Sequence, residues 1–380
     1  ENELSVWGKG LSEYKKSINM PMPWDGGWWR LSDIMDYEIV TTMSIIKSCA
    51  SHKKDILKFR NEMCREEVNR GKTQKPYYYI MPEKQHDKSE LVDLVNLLQT
   101  HGVERYVLKK QVKINDRLYS AGDVVIPLAQ PFRPFIKEVM EHQKYPVRHY
   151  TPDGEIIKPY DITSWSLPLH RGVECYEIDV RSETLESSIE KLEGNYSISK
   201  SVPAQYEAVV FPFSNNESYK AAFLADEMGL PVRYVTHEIT ADNQSIEDGA
   251  FVIPFSGRDR NKLNSLMGQL EVPPIFVEEN SDIEGSEIGF PRIALMETYQ
   301  HDMDAGWTRY IFDTYHIPFE VIHPGEIREK DLEDYDVLVF PDTHKSVLLN
   351  GKYEREGHYQ MTHYPPEYTK GMDKEGLQKV

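Results

Sequence analysis

Between residues 32 and 70, Ile34, Met35, Ile39, Met43, Ile46, Cys49, Ile56, Phe59 and Met63 return at the period of one helix face. The spacing predicts a long helix. Ser32 reads as its N-cap, Asp33 and Asp36 lie in the first turn, a kink falls near Ser51, and Gly71 stops it after about Arg70. A stripe of that length needs a covering surface. From Lys75 the pattern changes. A short apolar run, 76–82, ends in Pro82. A helical period runs over 89–102, a strand over 105–110, a second strand closed by Pro127 over 121–132, and a helix over 134–142.

The same order then returns. A strand over 207–213 carries Pro212, a helix covers 216–229, a strand 233–238, and a proline-closed strand 247–260 carries Pro254 and leads into a helix. Gly102 and Gly229 stand 127 residues apart, as do Pro127 and Pro254; Arg105 and Arg233 stand 128 apart, and Pro82 and Pro212 130 apart. These offsets predict an internal duplication of a β-α-β-β-α unit. After an acidic linker, a strand (291–296), a helix (307–317), a strand (319–322), a short helix (327–335) and a strand (336–342) alternate, which predicts parallel pairing with right-handed crossovers. This last unit is shorter than a doubly wound domain. The expected divisions are therefore 1–72, the tail of a preceding domain; 73–143, the first repeat; 144–204, a joining segment; 205–285, the second repeat; and 286–380, a partial parallel-sheet domain.

Charge narrows the partners. With 44 Lys and Arg against 62 Asp and Glu in 380 residues, the net charge is −18, which repels nucleic acid and anionic membranes. No window approaches the roughly 18 apolar residues of a membrane span. The first residue is Glu1, so we expect a chain cut from something larger or relieved of a signal peptide. Cys49, Cys64 and Cys175 make no disulfide framework; the first two, on one helix, stand about 22 Å apart.

The segments PWDGGWWRLSDIMDYE, GKTQKPYYYIMPEKQHD, AGDVVIPLAQPFRPF, YDITSWSLPLHRGVE and MDAGWTRYIFDTY, in that order, resemble one group of large secreted bacterial proteins. These are carboxypeptidase A-like zinc metallopeptidases with a long C-terminal extension. The resemblance implies that the chain lies downstream of the catalytic domain, in a secreted or periplasmic protein. It implies zinc only in that upstream domain and no cofactor in this chain. It also implies a flavodoxin-like, class I glutamine amidotransferase-like fold for the last unit. Trp24, Trp28 and Trp29 would then cover the peptidase domain or fold back on the long helix; the alternative is an aromatic platform for sugar or peptide.

Catalytic motifs give little. His101 with Glu104 and His323 with Glu326 match His-x-x-Glu, but the first pair sits at a helix C-terminus and the second opens a short helix, so both read as capping residues. No thiol sits on a strand-to-helix elbow, and no glycine-rich phosphate loop occurs. Asp302 and Asp304 read as acids at a helix N-terminus. The loops after Pro82, Pro127, Pro212, Pro254 and Pro341 begin at strand ends, where open α/β sheets bind ligands. They supply the ligand-binding candidates Gln85, His86, Asp87, Gln130, Arg133, Arg258, Arg260, Asp342 and His344, against a plainer reading of these residues as loop caps and surface ion pairs. The expected function is a non-catalytic accessory region supporting or shielding a peptidase domain. The alternatives are an independent peptide- or glycan-binding module and a hydrolase with its site in the last domain.

Overall fold

The computed structural model describes residues 16, 18, 21–22, 27–144, 146–158, 165–198, 202–241, 244–277, 285–300, 302–355, 358–359 and 364–380. Among them the chain is mixed α/β, and it divides into two units, 1–66 and 67–380.

The first unit holds helix α1 (Leu31–Ser51) and most of α2 (Lys53–Thr73). The helix starts one residue before Ser32, because Asp33 Oδ2 accepts the Arg30 N–H at 2.7 Å and makes Arg30 the cap. His52 interrupts the expected single helix, at φ −105° and ψ 17°. No residue of α1 is buried. Met43, Ile46 and Phe59 all stand open to solvent. Trp29 stacks on Tyr37 with ring centroids 5.5 Å apart, and Trp28 is 82% exposed; Trp24 lies outside the described residues. Gly71 does not end α2. It lies inside the helix, where a Cβ would come within 2.0 Å of the Leu128 carbonyl oxygen, so close approach and not termination requires glycine there.

In the second unit the chain runs β1 (Tyr78–Met81), α3 (Lys88–Thr100), β2 (Tyr106–Leu108), β3 (Val112–Ile114), β4 (Arg117–Tyr119), β5 (Val124–Pro127) and α4 (Arg133–Met140). Then come α5 (Leu167–His170), β6 (Tyr176–Ile178), α6 (Glu183–Glu186) and β7 (Ile189–Lys191). The order β6-β1-β5-β2-β7 forms one sheet, and each pairing in it is antiparallel. The segment read as a connector thus supplies both edge strands. Tyr79 and Met81 pack on α3 and α4, while Tyr78 and Ile80 face the β3–β4 hairpin and Leu185. Burial of both faces explains why the strand reads as one apolar run instead of an alternation.

A second five-stranded sheet follows. It is built from β8 (Ala208–Pro212), α7 (Glu217–Glu227), β9 (Arg233–Val235), the hairpin β10 (Ile239–Ala241) and β11 (Gln244–Ile246), β12 (Ala250–Pro254), α8 (Arg260–Met267), β13 (Ile275–Val277) and β14 (Ser286–Glu287). Its order is β13-β8-β12-β9-β14, antiparallel throughout. Val209 and Phe211 face α7 and α8, and Val210 faces the hairpin.

The last part contains β15 (Ile293–Met296), α9 (Met303–Thr314), β16 (Phe319–Ile322), β17 (Val337–Val339), α10 (Lys345–Asn350) and α11 (Asp373–Lys379). Its sheet is parallel, ordered β16-β15-β17. Asp302 caps α9 by accepting the Ala305 N–H at 3.1 Å, so the helix begins earlier than its apolar period indicated. The short helix expected over 327–335 is absent. The Asp331 side chain accepts the Glu333 N–H at 3.1 Å, and only a 3-10 turn forms there, over Leu332–Asp334.

Arg292 grips Asp336 with Nε and Nη2, both at 3.1 Å, and with its backbone N–H at 2.8 Å. These bonds favour the carboxylate and lower its pKa from 3.8 to about 2. A depressed folded-state pKa stabilises above the unfolded value and loses that contribution as pH falls through the folded one. We therefore expect the Asp336 carboxyl carbon to titrate near pH 2 by NMR, and Arg292→Ala to return it toward 3.8. A midpoint near 3.8 in the unaltered protein contradicts the grip.

Candidate functional site

Strand direction decides which candidate residues meet. In the β1–β5 ladder Tyr78 pairs with Pro127 and Met81 with Val124. The loops after Pro82 and Pro127 consequently leave opposite ends of the sheet. The β8–β12 ladder does the same, pairing Pro212 with Ala250 and Ala208 with Pro254. A shared crevice at all the proline-closed ends belongs to a parallel sheet and does not form in these two.

Gln85 and Gln130 prove to be matched clamps. Each is buried and stands three residues after its proline. Gln85 Nε2 donates to the carbonyls of Pro82 (2.7 Å) and Glu174 (3.1 Å), and its Oε1 accepts the Glu174 N–H at 2.8 Å. Gln130 Nε2 donates to Pro127 (2.6 Å) and Glu104 (3.1 Å), and its Oε1 accepts the Glu104 N–H at 2.7 Å. Both amides are spent on backbone and hold the loop against a neighbouring segment.

Asp87 ties the two sheets together. Its Oδ1 accepts from Ser89 N–H (2.8 Å) and Glu90 N–H (3.3 Å), capping α3, while Oδ2 accepts from Asn216 N–H at 2.8 Å at the start of α7. The reciprocal bond runs from Lys88 N–H to Asn215 Oδ1, also 2.8 Å. Ser89 donates its hydroxyl to Asp87. Two helix N-termini therefore meet and exchange caps. Glu90, beside them, accepts from Arg171 Nη1 at 2.6 Å and Asn216 Nδ2 at 2.9 Å. Burial raises the carboxyl pKa of Asp93 and of Glu217 around this junction, and the Tyr315 hydroxyl is pushed up to about 12 by burial and the nearby carboxylates.

Arg133 is buried, its Nη1 lying 3.5 Å from Glu67 Oε2. Arg258 is exposed. Arg260 lies over the Phe255 ring, 5.0 Å from its centroid. Asp342 is exposed, and His344 Nδ1 lies 2.9 Å from the Ser346 hydroxyl. Of the nine candidates, Gln85 and His86 line one cavity among the described residues, a cleft of about 780 Å³ between the loops after β1 and β8. Lys84, Lys88, Glu247 and Asp248 also line it and escaped sequence reasoning, since single surface charges carry no spacing signal.

His101 is the C-cap of α3 and Glu104 accepts from Lys191 Nζ at 2.7 Å, while Glu326 accepts the His323 N–H at 2.8 Å as a local cap. Among the described residues no group of three or more His, Cys, Asp or Glu is placed to hold a metal ion, and no helix is long and apolar enough to cross a membrane. Cys175 is half-buried, and desolvation pushes its thiol up to about 12, far from an activated nucleophile. Comparison of the chain with protein-family models, curated proteins and solved structures gives no match.

Proposed function

We propose that this chain is a non-catalytic accessory region of a secreted zinc carboxypeptidase-like protein, and that α1 docks on the peptidase domain upstream of it. The observation that carries the reading is the bare helix: α1 has 21 residues, several of them large and apolar, and none is buried. A lone helix of this length is marginal in water, and each large apolar side chain gains about 1.5–3 kcal/mol on full burial. The family itself rests on the segment resemblance. The two antiparallel sheets are proposed to be a duplicated unit. Their strand orders correspond, and the hairpins extend the offset, with Val112 and Ile239, and Tyr119 and Ile246, each 127 residues apart. The parallel order β16-β15-β17 agrees with the start of a flavodoxin-like sheet.

The test is the coding sequence upstream of Glu1. It is expected to encode a zinc peptidase domain in the same frame. When that domain is joined to the chain, amide exchange along α1 slows by about tenfold or more, and Ile46→Lys with Phe59→Lys reverses the protection. Unchanged exchange in the joined protein overturns the docking.

A second reading, a peptide- or glycan-binding module, is favoured by one observation, the cleft between the two sheets.

A further inference from the structure

We infer that the cleft between the two antiparallel sheets binds a short peptide with free ends, held as a zwitterion between opposite charges supplied by the two repeats. This rests on the second reading above and names its ligand. Lys84, in the loop after β1, and Lys88, the first residue of α3, line the cleft on one side, and Glu247 and Asp248 line it from the turn after the β10–β11 hairpin. None of these four side chains has an ion-pair partner among the described residues, although charges of both signs line one cavity. They stand too far apart to satisfy each other, and a ligand carrying an ammonium and a carboxylate bridges them. The fifth charge, Glu83, is turned toward Gly122 on its own repeat, where its carboxylate fills the space of a Cβ.

The floor fixes the class further. Pro212, Pro273 and Pro274 have no N–H to offer, and Val272 spends its N–H on the Glu217 carboxylate at 2.8 Å. Ile246 and Ile275 complete an apolar surface. The Gln85 amide and Asn215 Oδ1 are already engaged by backbone. Charged recognition thus lies at the rims, with His86 and Ser214 beside them, over a floor suited to an apolar middle residue. Among the described residues no Phe, Tyr or Trp lines the cleft, and none of them offers the flat ring on which a sugar face stacks. A cavity of about 780 Å³ accommodates a tripeptide.

Titration calorimetry on the full chain tests this with Ala-Leu-Ala, its N-acetyl form, its C-terminal amide, and chitotriose. The free tripeptide is expected to bind with one-to-one stoichiometry, and each blocked end to weaken binding by about tenfold or more. Asp248→Asn should weaken the free peptide but leave the acetylated one unchanged, and Lys84→Met should do the same with respect to the amide. Both positions are exposed, and the blocked peptides need no variant. Blocked peptides binding as well as free ones overturn the inference. Chitotriose binding without the peptide overturns it too, while keeping a binding module. Binding of neither rejects the inference and the second reading together.

Discussion

Arg133→Ala is expected to lower the unfolding free energy by about 3 kcal/mol, and to leave binding in the cleft unchanged. Glu67 is 7% exposed and Arg133 8%. One carboxylate oxygen of Glu67 accepts from Arg70 Nη1 at 2.9 Å; the other faces Arg133 at 3.5 Å without hydrogen-bond geometry. Removing Arg133 leaves a buried carboxylate with half its compensation, which costs more than the pair contributes when intact. Joint replacement, Glu67→Gln with Arg133→Met, should recover most of the loss, because charge and countercharge leave together. Urea unfolding of the three variants measures this. A loss below about 1 kcal/mol for Arg133→Ala contradicts the buried pair and reopens a binding role for the arginine.

Asp87→Ala should cost about 2–4 kcal/mol, combining a lost cap on α3 with an unsatisfied N–H at Asn216. Asp87→Asn falls between, since an amide has one accepting oxygen and the carboxylate uses two. The distinguishing measurement is amide exchange at Asn216, 129 residues away in sequence. It accelerates if Asp87 joins the two antiparallel sheets. If only the first turn of α3 responds, Asp87 is a local cap and the cleft lacks the anchor described above.

Much of the secondary structure was legible. Strands buried on both faces, such as β1 and β12, read as apolar runs, and α3 and α7 showed their period. The hairpin strands β3, β4, β10 and β11 have three residues each, too short for alternation to stand out from a loop. The same holds for β6 and β7, which exist as strands because β1 and β2 offer free edges. Gly71 looked like a helix stop and is a contact with Leu128. Gln85 and Gln130 looked like ligand groups, and their amides turn back to the chain.

Residues close in sequence settled where helices and strands form, since capping, period and the missing N–H of proline act within a turn or two. The acidic balance and the recurring 127-residue offsets were equally open to reading. Strand direction, the exchange of caps between α3 and α7, the burial of Arg133 and the gathering of charges of both signs in one cleft were decided only by the tertiary structure. Each joins groups tens of residues apart or more, and no local preference of the backbone records which of them will meet.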